Sequence, residues 1–168
     1  IDPATGTHYG SYDELSDSLV EKAIAEADKE FRGWGRKSSI DQRAAVLRQV
    51  AQLHRERRED LAKIIVRELG KILDAALEEV DFSADIIDYY ANNAHAILRD
   101  QELTIQGEGS AIIRRSALGP LLGIMPWNFP YYQVARFAAP NILIGYPILL
   151  KHAPQCPESS AAIQQIFR

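Results

Sequence analysis

The first hundred positions carry apolar side chains at a spacing of three to four residues, which is typical of amphipathic helices. Residues 1–15 lack this spacing, and their glycines and proline predict an extended arm with a turn at 4–6. Ser18 and Glu21 have the spacing of a capping box, so they predict the start of a first helix. Gly33 is expected to end that helix.

Two stronger helices are predicted downstream. Ser39 with Gln42 predicts a capped second helix whose apolar period continues past the charged segment 55–60. That segment is interpreted as a solvated turn or helix face. Gly70 interrupts the pattern, and residues 72–99 predict one long helix. Its buried side is expected to carry Leu73, Leu77, Val80, Phe82, Ile86, Ile87, Tyr90 and Ile97.

The period changes to an alternation of β-branched and polar residues after position 102. Residues 103–118 predict a β-hairpin with its turn at 107–109. A two-stranded hairpin is marginally stable alone, so it is expected to pair with a strand outside this sequence.

The last fifty residues alternate between strand and helix patterns. They predict strands at 121–125 and 148–151, each followed by a helix, at about 131–143 and from Pro157 onward. This order is the opening of a doubly wound parallel sheet, so the fold class is α/β. In such sheets ligands bind beyond the carboxyl ends of the strands.

Composition narrows the function classes. The 168 residues are 46% hydrophobic with a net charge of −4 and no basic stripe, so a nucleic-acid partner is not expected. No apolar run is long enough to span a membrane. The single cysteine excludes an internal disulfide and favours a reducing, cytoplasmic setting, with no metal site expected. The four histidines lack ligand spacing: His8, His54, His95 and His152.

Asn128 is the first candidate for chemistry. It can donate two amide hydrogens to a developing oxyanion, or it can cap the helix that comes after it. Pro126 and Pro130 fix the backbone on either side of Trp127, Asn128 and Phe129, and this rigidity favours the oxyanion donor.

Three further residues have a functional and an ordinary interpretation. Lys151 ends a predicted strand, where it could bind ribose or phosphate or simply reach water. Arg136 is the lone charge in an apolar helix, so it could bind a carboxylate or extend along the surface. Cys156 precedes a helix start, which can lower the pKa of a thiol, but we do not expect it to be the nucleophile.

Several segments together resemble the aldehyde dehydrogenase family. GPLLGIMPWNFP at 119–130 is the most specific, and GWG at 33–35, RELGK at 67–71 and LLKHAP at 149–154 occur in the family's order. The chain is most similar to the N-terminal third of the short bacterial, NAD(P)-dependent succinate-semialdehyde dehydrogenases.

The resemblance implies a domain organisation. Residues 1–102 would be the arm and helices of the cofactor-binding domain, 103–118 an oligomerisation hairpin, and 119–168 the start of the NAD(P)-binding sheet. The fold would be incomplete, because the catalytic domain with its cysteine and glutamate would lie outside this chain. The full-length enzyme would be a cytoplasmic homodimer or homotetramer, and the chain alone would be inactive.

The resemblance also implies site residues. Asn128 would be the oxyanion donor, and Arg136 would bind the distal carboxylate of the semialdehyde beside Phe129, Tyr132 and Gln133, although Tyr132 could equally belong to the core. NADP or NAD would contact Ile124, Met125, Pro126, Trp127, Lys151, Ala153 and Pro154. NAD-preferring members often carry a glutamate at the position of Pro154, so NADP is expected to be accepted.

Two alternatives remain open from the sequence. The substrate could be another carboxylate-bearing semialdehyde, such as glutarate semialdehyde. The chain could also be a non-catalytic remnant that acts as an oligomerisation or nucleotide-binding module.

Overall fold

The computed structural model describes residues 1–167, which form a layer of helices beside two small sheets. The helices are α1 (Asp17–Glu30), α2 (Ile40–Glu56), α3 (Arg58–Leu69), α4 (Leu73–Asn92), α5 (Ala94–Leu98), α6 (Pro130–Ile144) and α7 (Pro157–Ile166), with a π-helical turn at Phe31–Gly35. The strands are β1 (Gln101–Leu103), β2 (Ala111–Ile113), β3 (Leu121–Ile124) and β4 (Ile148–Lys151). No helix in residues 1–167 is both long and apolar enough to cross a membrane.

The core lies where α4 packs against α2, α3 and α6. Leu47 of α2, Ile87 of α4 and Leu143 of α6 are fully buried there. Burial of large aliphatic side chains is the dominant favourable contribution to folding, so these three helices form the core, and α6 packs from it onto the parallel sheet.

One of the two predicted capping boxes forms. Ser39 and Gln42 form the expected capping box at α2, with the Gln42 amide donating to Ser39 Oγ at 3.1 Å. The predicted capping box at Ser18 is wrong, because α1 begins at Asp17 and Ser18 therefore lies inside the first turn. Gly33 is not the residue at which α1 ends: α1 ends at Glu30, and Gly33 lies within the π-helical turn that follows it.

Tertiary packing changed three other predictions. The second predicted helix divides at Arg57 into α2 and α3, within the segment 55–60 that the sequence indicates as a solvated turn or helix face. The third divides at Asn93 into α4 and α5. Phe82 and Leu73, predicted to be buried, are 54% and 47% exposed. The Phe82 ring stacks on the ring of Tyr132 in α6, with ring centres 5.3 Å apart.

The hairpin forms, with shifted boundaries. β1 and β2 pair antiparallel with Gln101 opposite Ile113 and Leu103 opposite Ala111, so the first strand starts two residues earlier than predicted. Within residues 1–167 the two strands pair only with each other.

The parallel pair β3 and β4 confirms the α/β prediction. Leu121 lies opposite Ile148 and Ile124 opposite Lys151. Helix α6 crosses over from one strand to the other and packs tightly on β3: a Cβ at Gly123 would overlap the ring of Phe137. Glycine at this position thus brings α6, and the turn before it, close to the sheet.

Candidate active site

Two turns leave the carboxyl edge of the parallel sheet side by side. We call residues 125–129, between β3 and α6, the Asn128 turn, and residues 152–156, between β4 and α7, the His152 turn. The Met125 amide donates to the carbonyl of Lys151 at 3.0 Å, which continues the strand pairing into the turns. Both turns therefore lie where ligands bind in doubly wound sheets.

The Asn128 turn presents its side chains outward. Trp127 and Phe129 are 54% and 42% exposed, and Asn128 between them is exposed as well. The amide side chain of Asn128 makes no hydrogen bond to any residue in 1–167. The N-cap of α6 is Phe129, so the helix-capping interpretation of Asn128 is wrong.

A carboxylate from another helix caps α6 instead. Glu79 of α4 is 4% exposed, and its Oε1 accepts from the amides of Tyr131 at 2.9 Å and Tyr132 at 3.3 Å. A charged acceptor suits the positive end of the helix dipole. Because Glu79 supplies the cap, the Asn128 amide is left available.

Lys71 joins this carboxylate to the turn itself. Its Nζ forms an ion pair with Glu79 and lies 3.4 Å from the carbonyl oxygen of Asn128. The ammonium also lies 4.0 Å from the centre of the Phe129 ring, a cation–π distance. One cation thus contacts the backbone and the neighbouring side chain of Asn128.

The His152 turn buries its polar side chains, whereas the Asn128 turn exposes Asn128. His152 is 8% exposed; its Nδ1 accepts from the Ala153 amide at 2.8 Å, so its Nε2 donates to the Pro130 carbonyl at 3.0 Å. Cys156 Sγ donates to the Trp127 carbonyl at 3.6 Å. These two buried side chains therefore hold the backbone of the Asn128 turn, at Trp127, and of the start of α6, at Pro130.

Cys156 is not placed to be a nucleophile. It is fully buried, and desolvation, reinforced by the charges of Glu68 and Glu79, raises the pKa of its thiol to about 12. The expectation that a helix start could lower this pKa is wrong, because burial outweighs the helix dipole.

Helix α7 is also capped by a buried glutamate from a preceding helix. Glu68 of α3, 5% exposed, accepts from the amides of Glu158 at 2.5 Å and Ser159 at 3.0 Å, and from the Ser159 hydroxyl at 2.6 Å. Carboxylates therefore occupy both helix N-termini at this edge, where a dinucleotide phosphate often binds in related folds.

The predicted cofactor residues lie along the edge of the two strands. Ile124 is 70% exposed, and Lys151 opposite it is also exposed. Pro126, Trp127 and Pro154 are exposed, Met125 is half-buried, and Ala153 is buried. These residues belong to the last positions of β3 and β4 and to the two turns that follow them.

The predicted substrate residues are only partly grouped. Arg136 and Tyr132 line a cleft of about 490 Å³, and Arg136 Nη1 donates to the Tyr132 hydroxyl at 3.1 Å. Phe129 contacts the outer edge of Tyr132 with ring centres 5.8 Å apart. Gln133 is half-buried and is not among the residues that line this cleft.

The cleft has an asymmetric charge. Its acidic residue, Asp85, is already paired with Arg55 at 2.9 Å. Arg136 is exposed and has no carboxylate partner in residues 1–167. An anionic ligand in this cleft would therefore meet an unpaired guanidinium.

Sequence reasoning missed two sets of residues near the predicted site. The remaining walls of the cleft are Phe82, Asp85, Ile86, Tyr89 and Tyr90. The capping residues Glu68 and Glu79 were missed as well. A usable signal existed for Glu79, because it lies three residues after Ala76 and four before Ser83, on the stripe that α4 buries.

Over residues 1–168 the sequence matches the aldehyde dehydrogenase family. It belongs to that family. The fold agrees: the chain superimposes with a TM-score of 0.90 on the succinic semialdehyde dehydrogenase of Streptococcus pyogenes, solved with NADP+, at 34% identity over 95% of this chain and 35% of that one.

Two relatives within the family are similar to the chain over nearly all of its length. The chain is 39% identical to a succinate-semialdehyde dehydrogenase [NADP(+)] of Deinococcus radiodurans over 99% of its own length. It is also 39% identical to a succinate semialdehyde dehydrogenase [NAD(P)+] of Escherichia coli over its whole length. The chain spans about 35% of the first of these relatives and 36% of the second.

Proposed function

We propose that this chain is the N-terminal third of an NAD(P)-dependent succinate-semialdehyde dehydrogenase, in which Asn128 is the oxyanion donor. The observation that carries the proposal is the exposed, unbonded amide of Asn128 at the carboxyl edge of β3. Glu79 performs the capping role that would otherwise occupy that amide. The catalytic cysteine and general-base glutamate would come from the remainder of the enzyme, so we expect the isolated chain to be inactive.

In this proposal the Asn128 amide acts on the oxygen of the aldehyde. That oxygen gains negative charge when a thiolate attacks the carbonyl carbon, and again when water attacks the resulting thioester. A donor held in place before charge develops stabilises both transition states without reorganising. Pro126 and Pro130, together with the contacts of Lys71 and Glu79, supply that rigidity.

The cofactor would lie along Ile124, Met125, Pro126, Trp127, Lys151, Ala153 and Pro154. When bound, NADP or NAD accepts the hydride. The exposed Lys151 ammonium fits a ribose hydroxyl or a 2′-phosphate, and Pro154 offers no carboxylate to repel that phosphate. The two capped helix N-termini are poor phosphate sites, so the pyrophosphate is expected to bind elsewhere in the enzyme.

Arg136 would bind the distal carboxylate of the substrate. Its guanidinium is unpaired within the described part of the chain, and the Tyr132 hydroxyl orients it by accepting one hydrogen bond. Phe129, Tyr132 and Gln133 would line the approach to Asn128. A plain aliphatic aldehyde would gain nothing from this cation.

The same proposal assigns the remaining parts. Residues 1–102 would be the arm and helices of the cofactor-binding domain, 103–118 the oligomerisation hairpin and 119–168 the start of the NAD(P)-binding sheet. The exposed apolar side chains of the hairpin, such as Ile112 at 47% and Leu118 at 86%, support a covering subunit in a homodimer or homotetramer.

The test is Arg136→Leu in the enzyme that contains this chain. Loss of two charge-assisted hydrogen bonds should lower kcat/KM for succinate semialdehyde by about tenfold or more, while butanal is oxidised at least as well as before. Arg32→Leu, which removes an exposed arginine of the π-helical turn, is the matched control. An equal loss with both aldehydes would return Arg136 to a structural role. Glutarate semialdehyde in the same assay distinguishes the two chain lengths.

A further inference from the structure

Lys71 and Glu79 contact the chain at Asn128 and in the residues that follow it. Lys71 reaches the carbonyl of Asn128 and the ring of Phe129, while Glu79 accepts from the amides of Tyr131 and Tyr132. The two residues are also paired with each other. The ion pair therefore connects the N-terminal helices to the segment that carries the Asn128 amide.

The burial of this pair makes it rigid. The side chain of Glu79 is 1% exposed and that of Lys71 is 17% exposed, so water screens their attraction poorly. A buried carboxylate that loses its cation, or a cation that loses its carboxylate, is strongly unfavourable. The pair is consequently expected to hold one geometry, and the Asn128 peptide is bonded directly to it.

We propose that Lys71 and Glu79 are positioning residues for catalysis: they fix the direction of the Asn128 amide by holding the carbonyl of Asn128 and the first turn of α6 that follows it. This inference rests on the proposed oxyanion role of Asn128. Neither residue reaches the reacting atoms. Each acts through the backbone of the Asn128 turn, where a shift of about 1 Å can cost about a hundredfold in rate.

Glu68 is the matched control inside the same chain. It is a buried carboxylate that caps α7 through two amides, as Glu79 caps α6. Its helix comes after the His152 turn, not the Asn128 turn. A general loss of helix capping would affect both glutamates alike, whereas a loss of positioning would affect only Glu79.

The experiment compares Lys71→Met, Lys71→Arg, Glu79→Gln, Glu68→Gln and Asn128→Ala in the enzyme that contains this chain, with chemistry rate-limiting. Lys71→Met and Glu79→Gln should each lower kcat by about tenfold or more with little change in the KM for the cofactor, since only the transition state loses a contact. Lys71→Arg should recover most of the loss, and Glu68→Gln should stay within about threefold of the parent.

A double variant and an exchange measurement complete the test. Lys71→Met added to Asn128→Ala should cost no more than about twofold further, because a positioning residue has nothing left to position. Amide exchange at Tyr131 and Tyr132 should accelerate in Glu79→Gln while that at Ser159 does not, with the reverse in Glu68→Gln. If Glu79→Gln does not fold, the Lys71 variants decide the matter.

The outcomes separate the two claims. If Asn128→Ala lowers kcat but Lys71→Met and Glu79→Gln do not, or if Glu68→Gln lowers it equally, the positioning role is wrong and the oxyanion role stands. Full additivity in the double variant would also overturn positioning. If Asn128→Ala leaves kcat unchanged, the proposed function of Asn128 fails, and the positioning role fails with it.

Discussion

The turns after β3 and β4 begin at neighbouring ends of a parallel sheet, and each ends at a proline that starts a helix. Each of those helices is capped by a buried glutamate from a preceding helix, Glu79 or Glu68. Yet the Asn128 turn exposes its asparagine, and the His152 turn buries its histidine and its cysteine.

The difference arises from the bonds that the buried side chains make. His152 and Cys156 both donate to backbone carbonyls of the Asn128 turn and its helix, at Pro130 and Trp127. One turn is therefore a support for the other. A catalytic role is expected for a polar side chain whose backbone is fixed and whose functional group is exposed. Asn128 meets this condition, and the buried Cys156 does not.

The largest effect that could break this comparison concerns Cys156. A rise in thiol pKa from 9 to about 12 should slow alkylation at pH 8 by roughly a thousandfold relative to the denatured chain, because only the thiolate reacts. Burial of the sulfur should slow it further. Mass spectrometry of the peptide that contains Cys156, after timed exposure to iodoacetamide, measures this rate. Alkylation at the denatured rate would mean that the His152 turn is open.

Lys151 gives a second test of the comparison between the two turns. It is the exposed last residue of β4, directly before the His152 turn. Lys151→Met should raise the KM for NADP by about tenfold, more than for NAD, with kcat nearly unchanged, because one charged contact is lost in ground and transition states alike. Lys63→Met, at an exposed position of α3, is the control. A fall in kcat without a change in KM would assign Lys151 to the chemistry instead.

The smallest effect concerns the buried histidine of α2. His54 is 1% exposed, and desolvation lowers its pKa below the ordinary value of 6.5. Unfolding restores that value, so below pH 6.5 the unfolded chain binds a proton that the folded chain does not. The free energy of unfolding should therefore fall as the pH is lowered from 7 to 5, where the contribution of neutral His54 is lost.

Urea denaturation at the two pH values checks this expectation. His54→Gln should remove most of the change, whereas His8→Gln, at an exposed position of the arm, should leave it intact. Equal pH dependence in the parent and in His54→Gln would mean that the imidazole is charged inside the fold.

Local signals in the sequence predicted much of this arrangement. The capping box at Ser39, the helix break at Gly70 and the strand and helix patterns on either side of Asn128 each depend on neighbouring residues only. The capping glutamates could not be assigned in the same way, because Glu79 acts 52 residues away and Glu68 acts 91 residues away. A propensity pattern carries no information about such distant partners.

The same limit explains the wrong predictions about faces. Phe82 has the helical spacing of a core residue, yet it lines a cleft together with Tyr132. The break at Arg57 falls in the charged segment 55–60, across which the apolar period continues, and α2 and α3 both pack on α4. Periodicity identifies an apolar face but not the element that covers it.

The measurement that tests the central claim most directly is kcat of Asn128→Ala, in the enzyme that contains this chain, with chemistry rate-limiting. Loss of one oxyanion donor should lower kcat by roughly a hundredfold or more while the affinity for the cofactor barely changes. Cys156→Ser, in the supporting turn, should leave activity largely intact. An unchanged kcat in Asn128→Ala, or abolition of activity in Cys156→Ser, would contradict the account.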